Sequence, residues 1–224
     1  MSERHLALVT GASRGIGLAI ASSLRERGVR VLTPSRLELD LLNPASIDSY
    51  LKTARREKID ILVNNAGINT PRTIEDLRDE EIAESWQTNV AAVLSLTRAL
   101  TPFMRKQGWG RIVNLSSIFS LVTKQKRIVY SATKAALNGL TRAAAVELAP
   151  AGVLVNAVCP GYVDTELTRK NNSPADLKKI AALIPLGRMA SPSEIARFVA
   201  FLCSEENTYI TGQTLVIDGG FTCL

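Results

Sequence analysis

The stretch from residue 6 to residue 27 constrains the fold more than any other part of the chain. Leu6–Val9 is an apolar run, the pattern of a strand buried on both faces. Residues 10–17 then read Thr-Gly-Ala-Ser-Arg-Gly-Ile-Gly, and an amphipathic segment continues to Arg27. A glycine-rich turn between a strand and a helix leaves helix N–H groups facing a phosphate. The stretch therefore predicts a dinucleotide site, with a turn that binds no ligand as the alternative.

The three glycines of the turn have different expected uses. Gly11 permits the tight turn itself. Gly15 allows the backbone to approach a pyrophosphate, and Gly17 allows the helix to lie close to the strand. Together they predict the phosphate-binding end of a dinucleotide cleft.

Strand-like and helix-like segments alternate along the rest of the chain. Further strands are predicted at 29–33, 59–63, 111–115, 153–158 and within 212–220. Helices are predicted at 44–58, at 77–107 in two pieces around 86–89, at 130–149 and at 192–203. The alternation predicts a single α/β domain, residues 1–224, with a parallel sheet covered by helices on both faces. The segment 165–183 is polar, and Asn171–Pro174 is expected to mark a loop in it.

One helix is expected to be missing at the edge of the sheet. Only Leu37–Leu39 separates Arg36, which follows the second strand, from Asp40. A crossover between parallel strands needs about a dozen or more residues. No helix is therefore expected between the second strand and a third strand at Asp40.

Composition argues against several classes of protein. The net charge of +6 is modest and the basic residues are scattered, so no nucleic-acid partner is expected. Three cysteines without metal-ligand spacing and a single histidine, His5, argue for reduced thiols and against a metal site. Met1–Leu8 carries charges and no long apolar core, so no signal peptide is expected. No apolar run approaches the roughly 18 residues of a membrane span, and we expect a cytoplasmic protein.

The spacing of Tyr130 and Lys134 points to proton chemistry. The pair opens an Ala- and Leu-rich run to Ala149 that favours a helix, on which residues four apart share one face. A free tyrosine has a pKa near about 10, and a lysine cation beside it favours the phenolate and lowers that pKa. Such a pair would exchange protons near neutral pH. Taken alone, the spacing is weak evidence, because many helices carry a packed tyrosine and a solvated lysine.

The end of the second strand bears on the choice of cofactor. An Asp or Glu at this place would hydrogen-bond the adenosine 2′-hydroxyl of NAD(H). The chain has Ser35 and Arg36 there, with Arg14 in the glycine-rich turn. Since an arginine fork suits a phosphate, we predict a 2′-phosphate pocket and NADP(H) as the cofactor. Two solvated arginines are the alternative.

Several short motifs follow one another in a specific order. They are Thr10-Gly11-x-x-x-Gly15-Ile16-Gly17, Asn64-Asn65-Ala66-Gly67, Asn89, Ser117, Tyr130-x-x-x-Lys134 and Pro160-Gly161. Through them the chain resembles the short-chain dehydrogenase/reductase family over essentially all of its 224 residues. The resemblance implies a Rossmann-type doubly wound sheet, whose usual third strand is expected here to be absent or vestigial.

The resemblance also implies a catalytic set. Tyr130 would exchange a proton with the carbonyl as hydride is transferred. Ser117, preferred to Ser116 because of its spacing from Tyr130, would hydrogen-bond the substrate oxygen. Lys134 would hold the nicotinamide ribose, and Asn89 would position a water that relays protons to Lys134.

The cofactor-binding residues implied by the resemblance lie in turns and at the ends of strands. They are Gly11, Ser13, Arg14, Gly15, Ile16, Gly17, Ser35, Arg36, Asp40, Asn65, Ala66, Gly67, Tyr130, Lys134, Pro160, Gly161, Val163 and Thr165. Within this set Asp40 would lie at the adenine, Asn65 and Gly67 near a ribose, and Thr165 near the carboxamide or the phosphates. A substrate loop is expected at about 162–190.

The closest resemblance is to the 3-oxoacyl-[acyl-carrier-protein] reductases, through Pro185–Arg188 and Tyr209–Gly212. Those marks also occur in sugar, steroid and polyol dehydrogenases. Carrier-protein reductases tend to have basic docking residues where this chain has Gly108 and Ala151, which weakens that assignment. A reductase of a sugar nucleotide or another small phosphorylated ketone is the alternative. A non-catalytic NADP-binding regulator is the alternative from another class, although a binder would not need the proton-transferring set.

Two further expectations concern the substrate and the assembly. Lys124, Lys126 and Arg127 would attract an anionic ketone if their loop borders the substrate cleft; the alternative is a solvated loop. The family resemblance implies a homotetramer, or a homodimer, in which helices 89–107 and 130–149 pair across a two-fold axis. Small side chains would allow close approach, or would pack inside one subunit: Ala135, Ala143, Ala144 and Ala145.

Overall fold

Six parallel strands form the central sheet in the part of the chain that the computed structural model describes, residues 5–170 and 173–223. They are β1 (Leu6–Val9), β2 (Arg30–Leu32), β3 (Ile61–Asn64), β4 (Gly110–Leu115), β5 (Val153–Pro160) and β6 (Thr214–Ile217). The strand order is β2-β1-β3-β4-β5-β6, and every pairing is parallel. The predicted α/β class with a doubly wound parallel sheet is confirmed.

Helices connect these strands. They are α1 (Gly15–Glu26), α2 (Pro44–Ala54), α3 (Asp79–Trp86), α4 (Ala92–Gln107), α5 (Ile128–Leu148), α6 (Glu166–Lys170), α7 (Pro174–Ala182) and α8 (Pro192–Leu202). A π-helical turn, Gln87–Ala91, separates α3 from α4 and confirms the predicted break in that stretch. Helix α2 ends at Ala54 rather than at about Lys58.

The alternating side chains of β1 explain why helices cover both faces of the sheet. Leu6 and Leu8 pack into one apolar cluster with residues of α2, α4 and α5. Ala7 and Val9 pack into a second cluster with residues of α1 and α8. Because successive side chains of a strand point to opposite faces, an entirely apolar strand needs a helical layer on each side.

The sheet ends at β2, as the spacing in the sequence predicted. Residues 33–43 form turns and extended backbone, with neither helix nor strand between Arg36 and Asp40. The chain then enters α2, where Asn43 accepts a hydrogen bond from the Ala45 N–H at 3.0 Å. The connection is too short to hold a crossover helix and a third strand, so the edge near Ser35 remains exposed.

The polar segment 165–183 contains the helices α6 and α7, which the sequence did not predict. Helix α7 begins at Pro174 because Ser173 and Asp176 form a capping box ahead of it. Asn171 and Asn172, which were expected to mark a loop, lie outside the described residues.

The described residues contain neither a membrane-spanning helix nor a cluster of metal ligands. No helix among them is long and apolar enough to cross a membrane. Within the same residues, no group of three or more His, Cys, Asp or Glu side chains could hold a metal ion.

Candidate active site and cofactor cleft

A cleft of about 470 Å³ lies at the carboxyl ends of β1, β2 and β3. This is where open α/β sheets bind ligands, beside the point at which the strand order reverses. Most of the predicted cofactor residues line it: Gly11, Ser13, Arg14, Gly15, Ile16, Gly17, Ser35, Arg36, Asp40, Asn65, Ala66, Gly67 and Thr165. The structure therefore brings together residues from three strand ends and from the segment before α6.

The glycine-rich turn is packed too tightly for side chains at two of its positions. A Cβ on Gly17 would lie 2.4 Å from the carbonyl oxygen of Gly11, and a Cβ on Gly11 would lie 2.9 Å from Ala66 Cα. Gly11 and Gly15 also have positive φ values of 64° and 58°, which favour glycine. Gly17 is explained by close packing of the helix against the turn at Gly11 and against the Asn65 side chain, whereas the sequence predicted packing against the strand.

The N-terminus of α1 is open toward the cleft. Its N-cap residue, Arg14, is extended and makes no side-chain capping hydrogen bond. The first N–H groups of a helix lack partners within the helix and favour an anion. The turn and the helix end therefore fit the pyrophosphate of a dinucleotide.

Asn65 and Thr10 fasten the turn to the end of β3. The Asn65 amide donates to the carbonyl oxygens of Thr10 at 2.9 Å and Gly11 at 3.1 Å. The Thr10 hydroxyl accepts from the N–H groups of Asn65 and Ala66, both at 3.1 Å. Asn65 therefore holds the turn in place as well as lining the cleft. The sequence alone did not predict that the Thr10 hydroxyl would join the turn to the end of β3.

Gly67 connects the cleft with the predicted catalytic set. A Cβ on Gly67 would lie 3.2 Å from Asn89 Oδ1 and 3.4 Å from Lys134 Nζ. A side chain here would crowd both groups, because such contacts are tighter than almost all real Cβ contacts. Gly67 thus lines the cleft and lies against Asn89 and Lys134, which, like Tyr130, do not themselves line it.

Asn89 is buried and held by both ends of its amide. It sits in the π-helical turn Gln87–Ala91, where Oδ1 accepts from the Ile68 N–H at 2.9 Å. Nδ2 donates to the Ile68 carbonyl oxygen at 2.9 Å and to Thr133 Oγ1 at 3.1 Å. Sequence reasoning missed Thr133, which lies inside the Tyr130–Lys134 motif and joins Asn89 to α5.

Lys134 is buried on α5, with a side chain directed at the end of β4. Its ammonium group donates to the Leu115 carbonyl oxygen at 2.6 Å, while the Ser116 hydroxyl donates to the Lys134 carbonyl oxygen at 3.0 Å. Burial lowers the pKa of Lys134 to about 8, and nearby Cys159 opposes the shift. Ser116 therefore supports the helix that carries Lys134, while Ser117 is the serine beside Tyr130.

Tyr130 lies one helical turn before Lys134, and the Ser117 hydroxyl is near enough to act on its pKa. Burial raises the pKa of Tyr130, while the hydrogen bond with Ser117 and the charge of Arg127 oppose the rise. Lys134 Nζ lies 5.7 Å from the centre of the Tyr130 ring. The expectation of a lowered pKa was therefore wrong for this arrangement, because burial outweighs the nearby charges.

Pro160 ends β5, Gly161 and Val163 follow it, and none of the three lines the cleft. A Cβ on Gly161 would lie 2.7 Å from the Cβ of Asp218, so close packing explains this glycine. Val163 forms a parallel bridge with Ala190. These residues place Thr165 at the cleft, and their direct contact with a cofactor stays a prediction.

At the adenosine end, Ser35 is engaged by a residue that the sequence reasoning did not single out. Glu38 Oε2 accepts from the Ser35 N–H at 2.7 Å and from the Ser35 hydroxyl at 2.8 Å. Arg36 Nε lies 3.5 Å from Asp40 Oδ2, and the arginine side chain is 74% exposed. The two donors of Ser35 therefore already hold an anion.

The three cations of the loop before α5 are placed differently. Lys124 Nζ donates to the Tyr162 hydroxyl at 3.3 Å and lies 5.7 Å from the centre of the Phe119 ring. Arg127 is close enough to oppose the raised pKa of Tyr130, and its Nε atom is buried without a hydrogen-bond partner. Lys126 is exposed with a positive φ of 64°.

Known proteins resemble the chain over almost its whole length. A family model described as enoyl-(acyl carrier protein) reductase matches residues 33–222. The 3-oxoacyl-[acyl-carrier-protein] reductase FabG of Vibrio cholerae is 39% identical, with 97% of each chain covered.

Solved structures agree with the sequence comparison. A protein from Beutenbergia cavernae described as a NAD(P)-dependent gluconate 5-dehydrogenase, with NADP bound at low occupancy, is 32% identical at a TM-score of 0.93, covering 100% of this chain and 98% of that one. A gluconate 5-dehydrogenase from Burkholderia cenocepacia in complex with NADP and tartrate is 28% identical at a TM-score of 0.93, covering 99% and 96%. The motifs, the fold and these likenesses together show that the chain belongs to the short-chain dehydrogenase/reductase family.

Proposed function

We propose that this chain reduces a ketone to a secondary alcohol with NADPH, and that its substrate is a 3-oxoacyl thioester. One observation carries the proposal: Gly67, which lines the dinucleotide cleft, lies against Asn89 and Lys134, one helical turn from Tyr130. A cleft that only bound the cofactor would need no such set. The chain is an oxidoreductase acting on CH–OH groups, as its membership of the family and its reductase relatives support.

NADP(H) is the cofactor, and the residues of the cleft fit it. The glycine-rich turn and the N-terminus of α1 suit the pyrophosphate. Arg14 and Arg36 line the same cleft and suit the 2′-phosphate. Two related structures contain NADP. When bound, the reduced nicotinamide supplies the hydride, and the protein orients it.

The protein's own residues then complete the reduction. The Tyr130 hydroxyl donates its proton to the oxygen that accepts charge, and its raised pKa keeps that proton in place at neutral pH. Ser117 hydrogen-bonds the same oxygen and stabilises the developing charge. Lys134 holds a positive charge beside Tyr130 and binds the nicotinamide ribose, while Asn89 orders the proton path that reaches Lys134.

The choice of a 3-oxoacyl thioester rests on relatives. The FabG relative is 39% identical over nearly the full length of both chains. Gly108 and Ala151 supply no docking cations for an acyl carrier protein. The reaction is therefore not expected to require a carrier protein, and a thioester on a small carrier should also be reduced. Segment 162–190, with α6 and α7, is proposed to close over the substrate in a single domain.

An anionic ketone is the second candidate, and the place of Lys124 favours it. Phe119 contacts Tyr130 edge-on, with ring centres 6.4 Å apart, and Lys124 lies against both Phe119 and Tyr162. A carboxylate or phosphate on a substrate at Tyr130 would meet this ammonium group. Two related structures are of gluconate 5-dehydrogenases, whose substrate name denotes an anion.

A homotetramer, or a homodimer, remains our proposal for the assembly. Val146 on α5 and Leu94 on α4 are exposed apolar side chains, on the helices that the family resemblance pairs between subunits. A second copy would cover them. Light scattering at micromolar concentration would contradict the proposal by giving a monomeric mass.

The test of function compares substrates under one set of conditions. NADPH oxidation is followed with a 3-oxoacyl thioester on coenzyme A, the same acyl group on an acyl carrier protein, and a keto-derivative of gluconate. We expect the highest kcat/KM with a thioester. Preference for the keto acid would favour the second candidate, and no oxidation with any ketone would favour a non-catalytic NADP-binding regulator.

A further inference from the structure

The shortened connection after β2 folds back on itself and brings a carboxylate to the adenosine end of the cleft. The N–H groups of Glu38 and Leu39 donate to the Ser35 carbonyl oxygen at 3.1 and 2.9 Å. Leu39 is buried and anchors the turn. These hydrogen bonds close a turn that places the Glu38 side chain beside Ser35.

The Glu38 carboxylate occupies the donors that a phosphate would use. One oxygen, Oε2, accepts both the N–H and the hydroxyl of Ser35, at 2.7 and 2.8 Å. These hydrogen bonds, the backbone one first, lower the pKa of Glu38, so the group is charged at neutral pH. Ser35 and Arg36 line the cleft. A phosphate oxygen has the same charge sign and the same need for donors as this carboxylate oxygen.

We propose that Glu38 is a cofactor-specificity residue whose carboxylate competes with the adenosine 2′-phosphate for the donors of Ser35. The proposal rests on the use of NADP(H) proposed above. NADPH binding requires Glu38 to leave Ser35 for solvent, whereas NADH, which lacks the 2′-phosphate, makes no such demand. The chain therefore discriminates between the two cofactors less strongly than Arg14 and Arg36 alone would dictate.

Arg36 and Glu38 act on the 2′-phosphate in opposite directions, so a change at either residue should shift the preference between NADPH and NADH. Arg36 attracts the phosphate, yet its nearest acidic partner is Asp40, 3.5 Å from Nε. Glu38 is exposed, so its displacement meets no steric barrier and its repulsion is screened by salt. Removing its charge should strengthen NADPH binding, which is the opposite of what loss of a binding residue does.

The experiment measures dissociation constants of NADPH and NADH by nicotinamide fluorescence, without substrate. Glu38→Gln and Glu38→Ala are compared with wild type. Glu26→Gln is the matched control, because Glu26 is an exposed residue at the far end of α1 and its loss changes the net charge equally. We expect the Kd of NADPH to fall about three- to tenfold in both Glu38 variants, while that of NADH stays within about twofold. The control should leave the ratio unchanged.

Two additions separate the competing explanations. Displacement by adenosine 2′,5′-bisphosphate should improve in the Glu38 variants, whereas displacement by adenosine 5′-monophosphate should not, and the gain should shrink as salt is raised. An unchanged NADPH-to-NADH ratio in both variants would overturn the proposal. So would equal weakening of both cofactors, which would make Glu38 a residue that only closes the turn. Failure of wild type to bind NADPH would overturn the proposed cofactor as well.

Discussion

At the catalytic end of the cleft, Asn89, Thr133 and Lys134 are almost completely buried, whereas at the adenosine end Arg36 and Leu37 face solvent. The buried groups form hydrogen bonds within the protein; for example, Asn89 Nδ2 donates to Thr133 Oγ1 at 3.1 Å. Arg36 is paired only loosely, at 3.5 Å. The difference separates residues that must hold one geometry for chemistry from residues that set cofactor preference and have more freedom.

The largest expected effect comes from removing the Tyr130 hydroxyl at the catalytic end. Tyr130→Phe removes the hydroxyl that donates the proton and should lower kcat for ketone reduction about a hundred- to ten-thousandfold. Steady-state NADPH oxidation gives kcat, and fluorescence titration should give an unchanged Kd for NADPH. Near-normal turnover by this variant would show that another group donates the proton.

The adenosine end should respond in binding and not in chemistry. Arg36→Ala should raise the Kd of NADPH about tenfold, because a charge-assisted contact to the 2′-phosphate is lost, and should leave NADH binding unchanged. Arg56→Ala is a matched control, since Arg56 is exposed and outside the cleft lining. Equal affinities of wild type for NADPH and NADH would refute the 2′-phosphate pocket.

The pH dependence of ketone reduction tests the role of the Lys134 cation at the buried, catalytic end. Burial lowers the pKa of Lys134 to about 8 from its ordinary 10.5, so the ammonium group loses its proton as pH rises through that value. We expect kcat/KM for reduction at pH 8 to be about half of its value at lower pH, because kcat/KM reports the groups of the free protein. Lys134→Arg keeps the charge and should move the fall to higher pH. A rate that stays constant from pH 7 to about pH 9.5 would contradict the role of the cation.

The smallest expected effect concerns the rim near Tyr162. Lys124→Ala should lower kcat/KM for an anionic ketone by up to about fivefold and leave a neutral ketone unaffected, because exposed charge pairs contribute little. The loss should shrink at high salt. Lys126→Ala is the comparison variant, since Lys126 shares the loop. Equal effects of the two substitutions, or equal losses for both substrates, would indicate that these lysines only solvate an exposed loop and do not contact the substrate.

Sequence could predict the parts of this molecule that depend on local spacing. The glycine-rich turn, the four-residue interval between Tyr130 and Lys134, and the missing helix after Arg36 were all readable because each lies within one short segment. The parallel sheet with helices on both faces followed from the alternation of apolar runs and helical segments, whereas the strand order came only with the structure.

Contacts between distant segments could not be read in the same way. The hydrogen bond from Ser35 to the Glu38 carboxylate depends on how the turn folds, and the contact of Lys124 with Tyr162 joins two loops. The direction of the Tyr130 pKa shift depends on burial, which the motif does not encode. The sequence did not reveal the helices of segment 165–183 because they are short and polar, although the Ser173 cap starts α7.

Transfer of a labelled hydride tests the central claim most directly. Wild-type protein is incubated with NADPH carrying deuterium at the transferring position of C4 and a 3-oxoacyl thioester, and the product is analysed by mass spectrometry. The account predicts an alcohol with one deuterium on the former carbonyl carbon, and none formed by Tyr130→Phe in the same time. An unlabelled alcohol, or no alcohol from any ketone while NADPH stays bound, would contradict it.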